Sequence, residues 1–137
     1  MANIPLPMTA LYAGMLGLML VALGLMVVRQ RYRARVGLFD GGDLQLGRAI
    51  RVHGNFCEYL PFALILMAAV EINGAPDWAL HGIGVVLIVA RLLHAYGLWR
   101  SDGPSSARFA GTVGTFLVIA TAAVYAIVQY NGYVRAI

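Results

Sequence analysis

Residues 8–28 read MTALYAGMLGLMLVALGLMVV, a run of 21 residues without one charged side chain. Roughly 20 consecutive apolar residues are what an α-helix needs to cross a bilayer, so this run reads as a membrane span. Three further stretches follow. Residues 109–134 are again uncharged, residues 78–99 are interrupted by Arg91 alone, and residues 56–73 are apolar apart from Glu58 and Glu71. Short connections make sequential helices antiparallel neighbours. The expected fold is therefore an all-α integral membrane protein, a four-helix up-and-down bundle forming one domain over residues 1–137.

The composition points the same way. The chain of 137 residues is 61% hydrophobic and only 12% charged, whereas a soluble domain carries about 25% charged residues. So little charge cannot cover a water-facing surface, and so much apolar sequence cannot stay disordered. A single cysteine excludes a disulfide scaffold. All ten basic residues are arginine, and the formal net charge is +4. Most of them gather in short loops beside the spans, as membrane orientation requires, so nucleic acid is not an expected partner.

The distribution of arginines gives a direction. Arg29, Arg31, Arg33 and Arg35 follow the first span, Arg48 and Arg51 open the second, and Arg100 and Arg108 flank the third connection. The second connection, residues 74–77, has no basic residue, and the C-terminal segment has only Arg135. By the positive-inside rule, loops one and three face the cytoplasm and both termini lie outside. The N-terminal run has no basic lead-in and is too long for a signal peptide's apolar core. Small residues at 13, 17, 24, 111 and 115 allow close helix approach. Residues 39–43, FDGGD, read as a turn before the second helix rather than a metal site.

Residues 47–61, GRAIRVHGNFCEYLP, carry the chemistry. At 100° per residue, Arg48, Arg51, Asn55, Glu58 and Tyr59 share an arc of about 100°, while His53 and Cys57 point elsewhere. A helix over residues 44–72 would be about 43 Å long, so its first turns extend past the hydrocarbon core toward the headgroups. Snorkelling explains Arg48 and Arg51, but not Asn55 and Glu58 deeper on the same face. Ionisable groups inside a span face a bundle interior or a polar cavity. Arg91 in the third helix falls at the depth of Glu58, with His94 one turn further on, and a Glu58–Arg91 pair is expected. Two uses of this network stand open, a purely structural one and a ligand cavity.

Arginine forks bind carboxylates in a bidentate manner, and Glu58 suits an ammonium group. A small zwitterion with more than one carboxylate fits this set, and glutathione is such a molecule. An arginine near its sulfur would favour the thiolate nucleophile. Among the remaining candidates, Pro61 reads as a kink and Cys57 as a small apolar filler. Tyr125, Tyr130 and Tyr133, with His81, belong to the outer interface.

Arg48-x-x-Arg51-x-His53-x-Asn55-x-x-Glu58-Tyr59-x-Pro61 resembles the second-helix signature of the MAPEG superfamily (membrane-associated proteins in eicosanoid and glutathione metabolism). The basic first loop, Ala90-Arg91-Leu92 and an arginine opening the fourth helix extend that likeness along nearly the whole chain. The resemblance implies a homotrimer with glutathione held as cosubstrate between subunits, open to the cytoplasm, and a lipophilic substrate arriving from the surrounding lipids. Its site would comprise Arg51, His53, Asn55, Glu58 and Tyr59, joined by Arg91, His94 and an arginine ending the first helix. Arg31 is the choice there, with Arg29 and Arg33 as alternatives. Arg108 would stabilise the thiolate. One departure stands out: eicosanoid-synthesising members place a tyrosine where this chain has Leu98, with Tyr96 and Trp99 beside it. The loops look bacterial, which implies an inner-membrane glutathione transferase or peroxidase-like protein. A non-catalytic binding or assembly protein on the same scaffold is the alternative. A small drug exporter fits poorly, because its first span needs an acidic residue and residues 8–28 have none.

Overall fold

A chain crossing a bilayer must satisfy its backbone hydrogen bonds internally, and the apolar runs form four long helices despite interior glycines and Pro61 in the computed structural model, which describes residues 6–101 and 103–136. They are α1 (Pro7–Ala34), α2 (Leu44–Ile72), α3 (Asp77–Arg100) and α4 (Ser106–Ala136). Each is long and apolar enough to cross a membrane. Asp102 and the side chains of Tyr133 and Arg135 lie outside the described residues. The up-and-down bundle expected from the sequence is thus present, with α3 and α4 in the most extensive contact and α1 packed mainly on α2.

The helices outlast the apolar runs at the arginine-rich end. α1 continues through Arg29, Arg31 and Arg33 to Ala34, because arginine is a good helix former. It stops at Arg35, which takes a left-handed conformation (φ 56°) while its N–H donates to the Arg31 carbonyl. The following loop is the turn read from FDGGD. Gly41 and Gly42 supply positive φ angles, and Asp40 Oδ1 accepts the Gly42 N–H at 3.1 Å. Asp43 then caps α2 by accepting the Leu46 N–H at 2.8 Å. That hydrogen bond, helped by the paired Arg33 guanidinium and opposed by partial desolvation, holds the Asp43 carboxyl below the usual range. α2 remains continuous through Pro61.

At the opposite end polar side chains tie the helices together. Glu71 Oε1 and Oε2 accept the N–H groups of Met8 and Thr9 at 2.9 and 2.7 Å. A carboxylate near the end of α2 therefore caps the first turn of α1, which has no side-chain cap of its own. Gln129 of α4 donates to the carbonyls of Val70 and Asn73 at 3.2 and 3.1 Å, serving the C-terminal end of α2. Tyr12 of α1 meets His81 Nδ1 of α3 at 2.8 Å.

Between the ends, Leu16, Phe56, Met67 and Leu87 are almost fully enclosed, and Val118 and Ala122 bring α4 onto the same core. Lipid tails are as apolar as these side chains, so close packing, more than water avoidance, holds the bundle. Glycines set that closeness. The Tyr12 ring occupies the space that a Cβ on Gly84 would need, and the backbone of Arg108 does the same at Gly97. Gly111 lies against Ala90 and His94, which fulfils its expected packing role, whereas Gly17 has no neighbour within 4 Å of a built Cβ. Outward faces carry Leu18, Leu25, Ile65, Val86 and Ile127, all exposed within the chain, as a lipid-facing surface requires.

Candidate functional site

The polar stripe of α2 splits into an outer and an inner layer. On the outer face Arg51 Nη1 donates to Glu58 Oε1 at 3.2 Å, with side chains 59% and 47% exposed. Seven residues are two helical turns, so these groups stand above one another. On the inner flank Asn55 receives Arg91 Nη1 at both Oδ1 (3.0 Å) and its backbone oxygen (3.4 Å). Arg91 Nη2 donates to Thr115 Oγ1 at 2.7 Å, and that hydroxyl donates to the Gly111 carbonyl at 2.8 Å. The guanidinium carbon also lies 5.8 Å from the centroid of the Tyr59 ring, which packs edge-on against Phe116.

The expected Glu58–Arg91 pair is therefore corrected. Equal depth does not mean equal direction: Arg91 is 2% exposed and points between α2 and α4. Glu58 faces outward and is met by Arg51 from its own helix. The buried cation is served by neutral oxygens and a π face instead of a carboxylate.

Toward the arginine-rich end the helices open into a cleft of about 410 Å³, lined by Arg48, Arg51, Leu98, Ser101 and Arg108 together with the loop residues Asp40 and Asp43. Three helices and a loop thus bring Arg51 and Arg108 to one cavity, although they stand far apart in sequence. The opening turn of α4 fixes Arg108 here. Its N–H donates to Ser105 Oγ at 3.3 Å, and its backbone approaches Gly97 closely. Arg48 Nη1 reaches the Trp99 carbonyl at 3.4 Å, joining α2 to the end of α3. Such a volume lies within the usual range for small-molecule sites, and its lining carries three guanidinium groups and two carboxylates.

The other residues singled out from sequence are more dispersed. His53 is directed at α1, where a Cβ built on Gly24 would lie 3.6 Å from its Nε2. Cys57 Sγ lies 3.9 Å from the His53 ring nitrogens and is exposed, not an interior filler. His94 is 5% exposed, in the close α3–α4 contact. Arg31 donates through Nη1 to the carbonyls of Gly37 (3.2 Å) and Phe39 (3.0 Å), and lines a different cleft. Leu98 does stand in the arginine-lined cleft, while Tyr96 is exposed beside Arg100.

Sequence reading treated Arg48 as an interfacial anchor and Thr115 only as a small packing residue. The three-residue spacing of Arg48 and Arg51 placed them on one face. Nothing in the chain order of α4 indicated that Thr115 would take the Arg91 guanidinium.

A bundle of four membrane-spanning helices, with a buried arginine network between them and an arginine-lined cleft toward one end, defines an integral membrane protein with a polar site. The MAPEG family model matches residues 9–128, and the chain belongs to that family. It is 44% identical over 104 residues to inner membrane protein YecN of Escherichia coli strain K12, covering 72% of this chain and 79% of the relative. The same figures hold for inner membrane protein YecN of Escherichia coli O6:H1 strain CFT073. Together with the four spans, these relatives identify an inner-membrane protein.

Proposed function

We propose that this protein is a glutathione transferase or peroxidase-like enzyme of the bacterial inner membrane, presenting a glutathione thiolate to a lipophilic electrophile. The observation that carries this reading is the meeting of Arg48, Arg51 and Arg108 in one cleft beside the Arg51–Glu58 pair. Guanidinium forks suit the two carboxylates of glutathione, and Glu58 suits its ammonium group. Arg108, at the start of α4, is the cation available to the thiol. With the proton released to water, the thiolate adds to an electrophilic carbon and a halide or similar group departs.

Arg91 acts behind this face as a positioning residue, holding Asn55 and the Tyr59 ring from the interior. Arg51 and Glu58 are exposed on the single chain, an expensive arrangement if lipid covered it. A second copy would cover it, in keeping with the homotrimer and inter-subunit site that the family resemblance implies. The arginine-rich end faces the cytoplasm by the positive-inside rule.

Titration of glutathione into detergent-purified protein, followed by conjugation of a generic aryl halide, tests the reading. Arg51→Ala, Glu58→Ala and Arg108→Ala should each lower binding or turnover at least tenfold, the scale of about 1.4 kcal/mol for one charged contact. Unchanged activity in all three would sink the assignment. Leu98 in the cleft favours a second reading, a binding or assembly protein without catalysis. Glutathione binding without turnover is its signature.

A further inference from the structure

The outward side of the α3–α4 seam opens into two cavities of about 280 and 250 Å³ that share Val86. Val89, Leu93, Ala110 and Gly114 line the one nearer the arginine-rich end, and Gly82, Leu117 and Thr121 line the other. Neither shares a lining residue with the cleft that holds Arg51 and Arg108. The groove follows from residue size. On the inner side α3 and α4 meet closely at Gly97 and Gly111. On the outer side Gly82, Ala110 and Gly114 carry too little side chain to fill the seam, and a Cβ on Gly82 would meet nothing within 4 Å. Val85, Val86 and Val89, each about half exposed, form one wall. A β-branched side chain in a helix keeps essentially one rotamer, so this wall is preformed.

Gly82, Val86, Val89, Leu93, Tyr96 and Arg100 recur at alternating four- and three-residue spacing, which places them in one row along α3. From Gly82 to Leu93 the row covers about 17 Å, close to half of a hydrocarbon core of about 30 Å, which is the depth of one leaflet. Beyond Leu93 the row turns polar. The Arg100 guanidinium carbon lies 5.7 Å from the centroid of the exposed Tyr96 ring, so the cation stands about one turn past the groove. Among the described residues no carboxylate lines either cavity or pairs with Arg100. Ser106, one turn before Ala110, opens α4 at the same end, where the helix dipole also favours an anion. A helix with its side chains is about 10–12 Å across, too thick for cavities of this size, whereas an alkyl chain fits. A groove one leaflet deep, ending in a cation and a phenol, complements an acyl chain carrying a phosphate.

We propose that this groove binds one anionic diacyl phospholipid, with an acyl chain along Leu93, Val89 and Val86 and its phosphate held by the Arg100 guanidinium and the Tyr96 hydroxyl. The guanidinium donates to the phosphate oxygens through its planar fork, and the phenol donates a further hydrogen bond at the interface. With no carboxylate to receive a headgroup amine, the site favours phosphatidylglycerol over phosphatidylethanolamine. It is independent of glutathione.

Native mass spectrometry of the full chain, released from micelles containing phosphatidylglycerol or phosphatidylethanolamine with identical acyl chains, provides the test. Phosphatidylglycerol should be retained preferentially, by about fivefold. Arg100→Gln should remove most of that preference, whereas Arg29→Gln, an equal loss of charge on α1, should change it by less than about twofold. Val86→Phe fills the point where the two cavities meet and should lower retention of both lipids by about threefold or more. Val124→Phe, the same change on an exposed part of α4 outside the groove, should leave retention within about twofold. Equal retention of the two lipids, or equal effects of Arg100→Gln and Arg29→Gln, would overturn the proposal. So would equal effects of Val86→Phe and Val124→Phe, since the groove would then contribute nothing. Quantitative disulfide formation in membranes between Val89→Cys chains that also carry Cys57→Ala would put a second copy on this face, and would overturn it too.

Discussion

Replacing Arg91 by methionine removes a buried guanidinium while keeping an unbranched side chain of similar reach. Arg91 Nη1 serves Asn55 and Nη2 serves Thr115, and the cation faces the Tyr59 ring. Hydrogen bonds between membrane helices contribute about 0.6–1.7 kcal/mol each, and a desolvated cation–π contact about 2 kcal/mol. Against this stands the cost of keeping a charge among helices with no carboxylate partner. The expected net destabilisation is about 2–4 kcal/mol, with the oxygens of Asn55 and Thr115 left underused. Reversible unfolding in mixed micelles, titrated with a denaturing detergent, measures this for Arg91→Met, Thr115→Val and the double variant. The cycle should give a coupling of about 1 kcal/mol. Glu58→Gln combined with Arg91→Met should be additive, because Glu58 pairs with Arg51. Strict additivity of Arg91 with Thr115, or strong coupling of Arg91 with Glu58, would refute the interior assignment.

Gly84→Ala should destabilise the bundle by about 1–3 kcal/mol, because the Tyr12 ring fills the space of the new methyl; Tyr12→Ala in the same background should recover part of the loss in the same unfolding assay. Glu71→Ala removes the cap from α1 and should cost about 1 kcal/mol, seen as faster amide exchange at Met8 and Thr9 with the middle of α1 unaffected. The Asp43 carboxyl is lowered by the Leu46 N–H and by Arg33, so its stabilisation is complete above the unfolded value of 3.8 and disappears as pH falls through the folded value. Asp43→Ala should therefore flatten the acid arm of the stability curve below that pH, and an unchanged arm would remove Asp43 as its source.

Helix number and the membrane setting were legible because a bilayer imposes a length and an apolar composition on every span. Residues 8–28 needed only counting. The span did not give the end of α1, since charge ends an apolar run without ending a helix, and Arg29 to Ala34 simply continue it. The α2 stripe was legible as a direction, and Arg51 and Glu58 do share a face. Helical angle within one segment cannot tell which neighbour lies behind it. That is why Arg91 was assigned to a carboxylate and is found on an amide, a hydroxyl and a ring.

By itself the sequence determined four spans, the arginine-rich end, the α2 polar face and the family likeness, all properties of local composition and helical periodicity. Tertiary structure decided which groups meet. The close approach of α3 and α4 at Gly97 and Gly111 sets the height of Arg108 and Thr115 against α2. From that height follow the Arg91 network and the cleft shared by Arg51 and Arg108. Helix register across a bundle is set by packing between surfaces, and no single segment contains it.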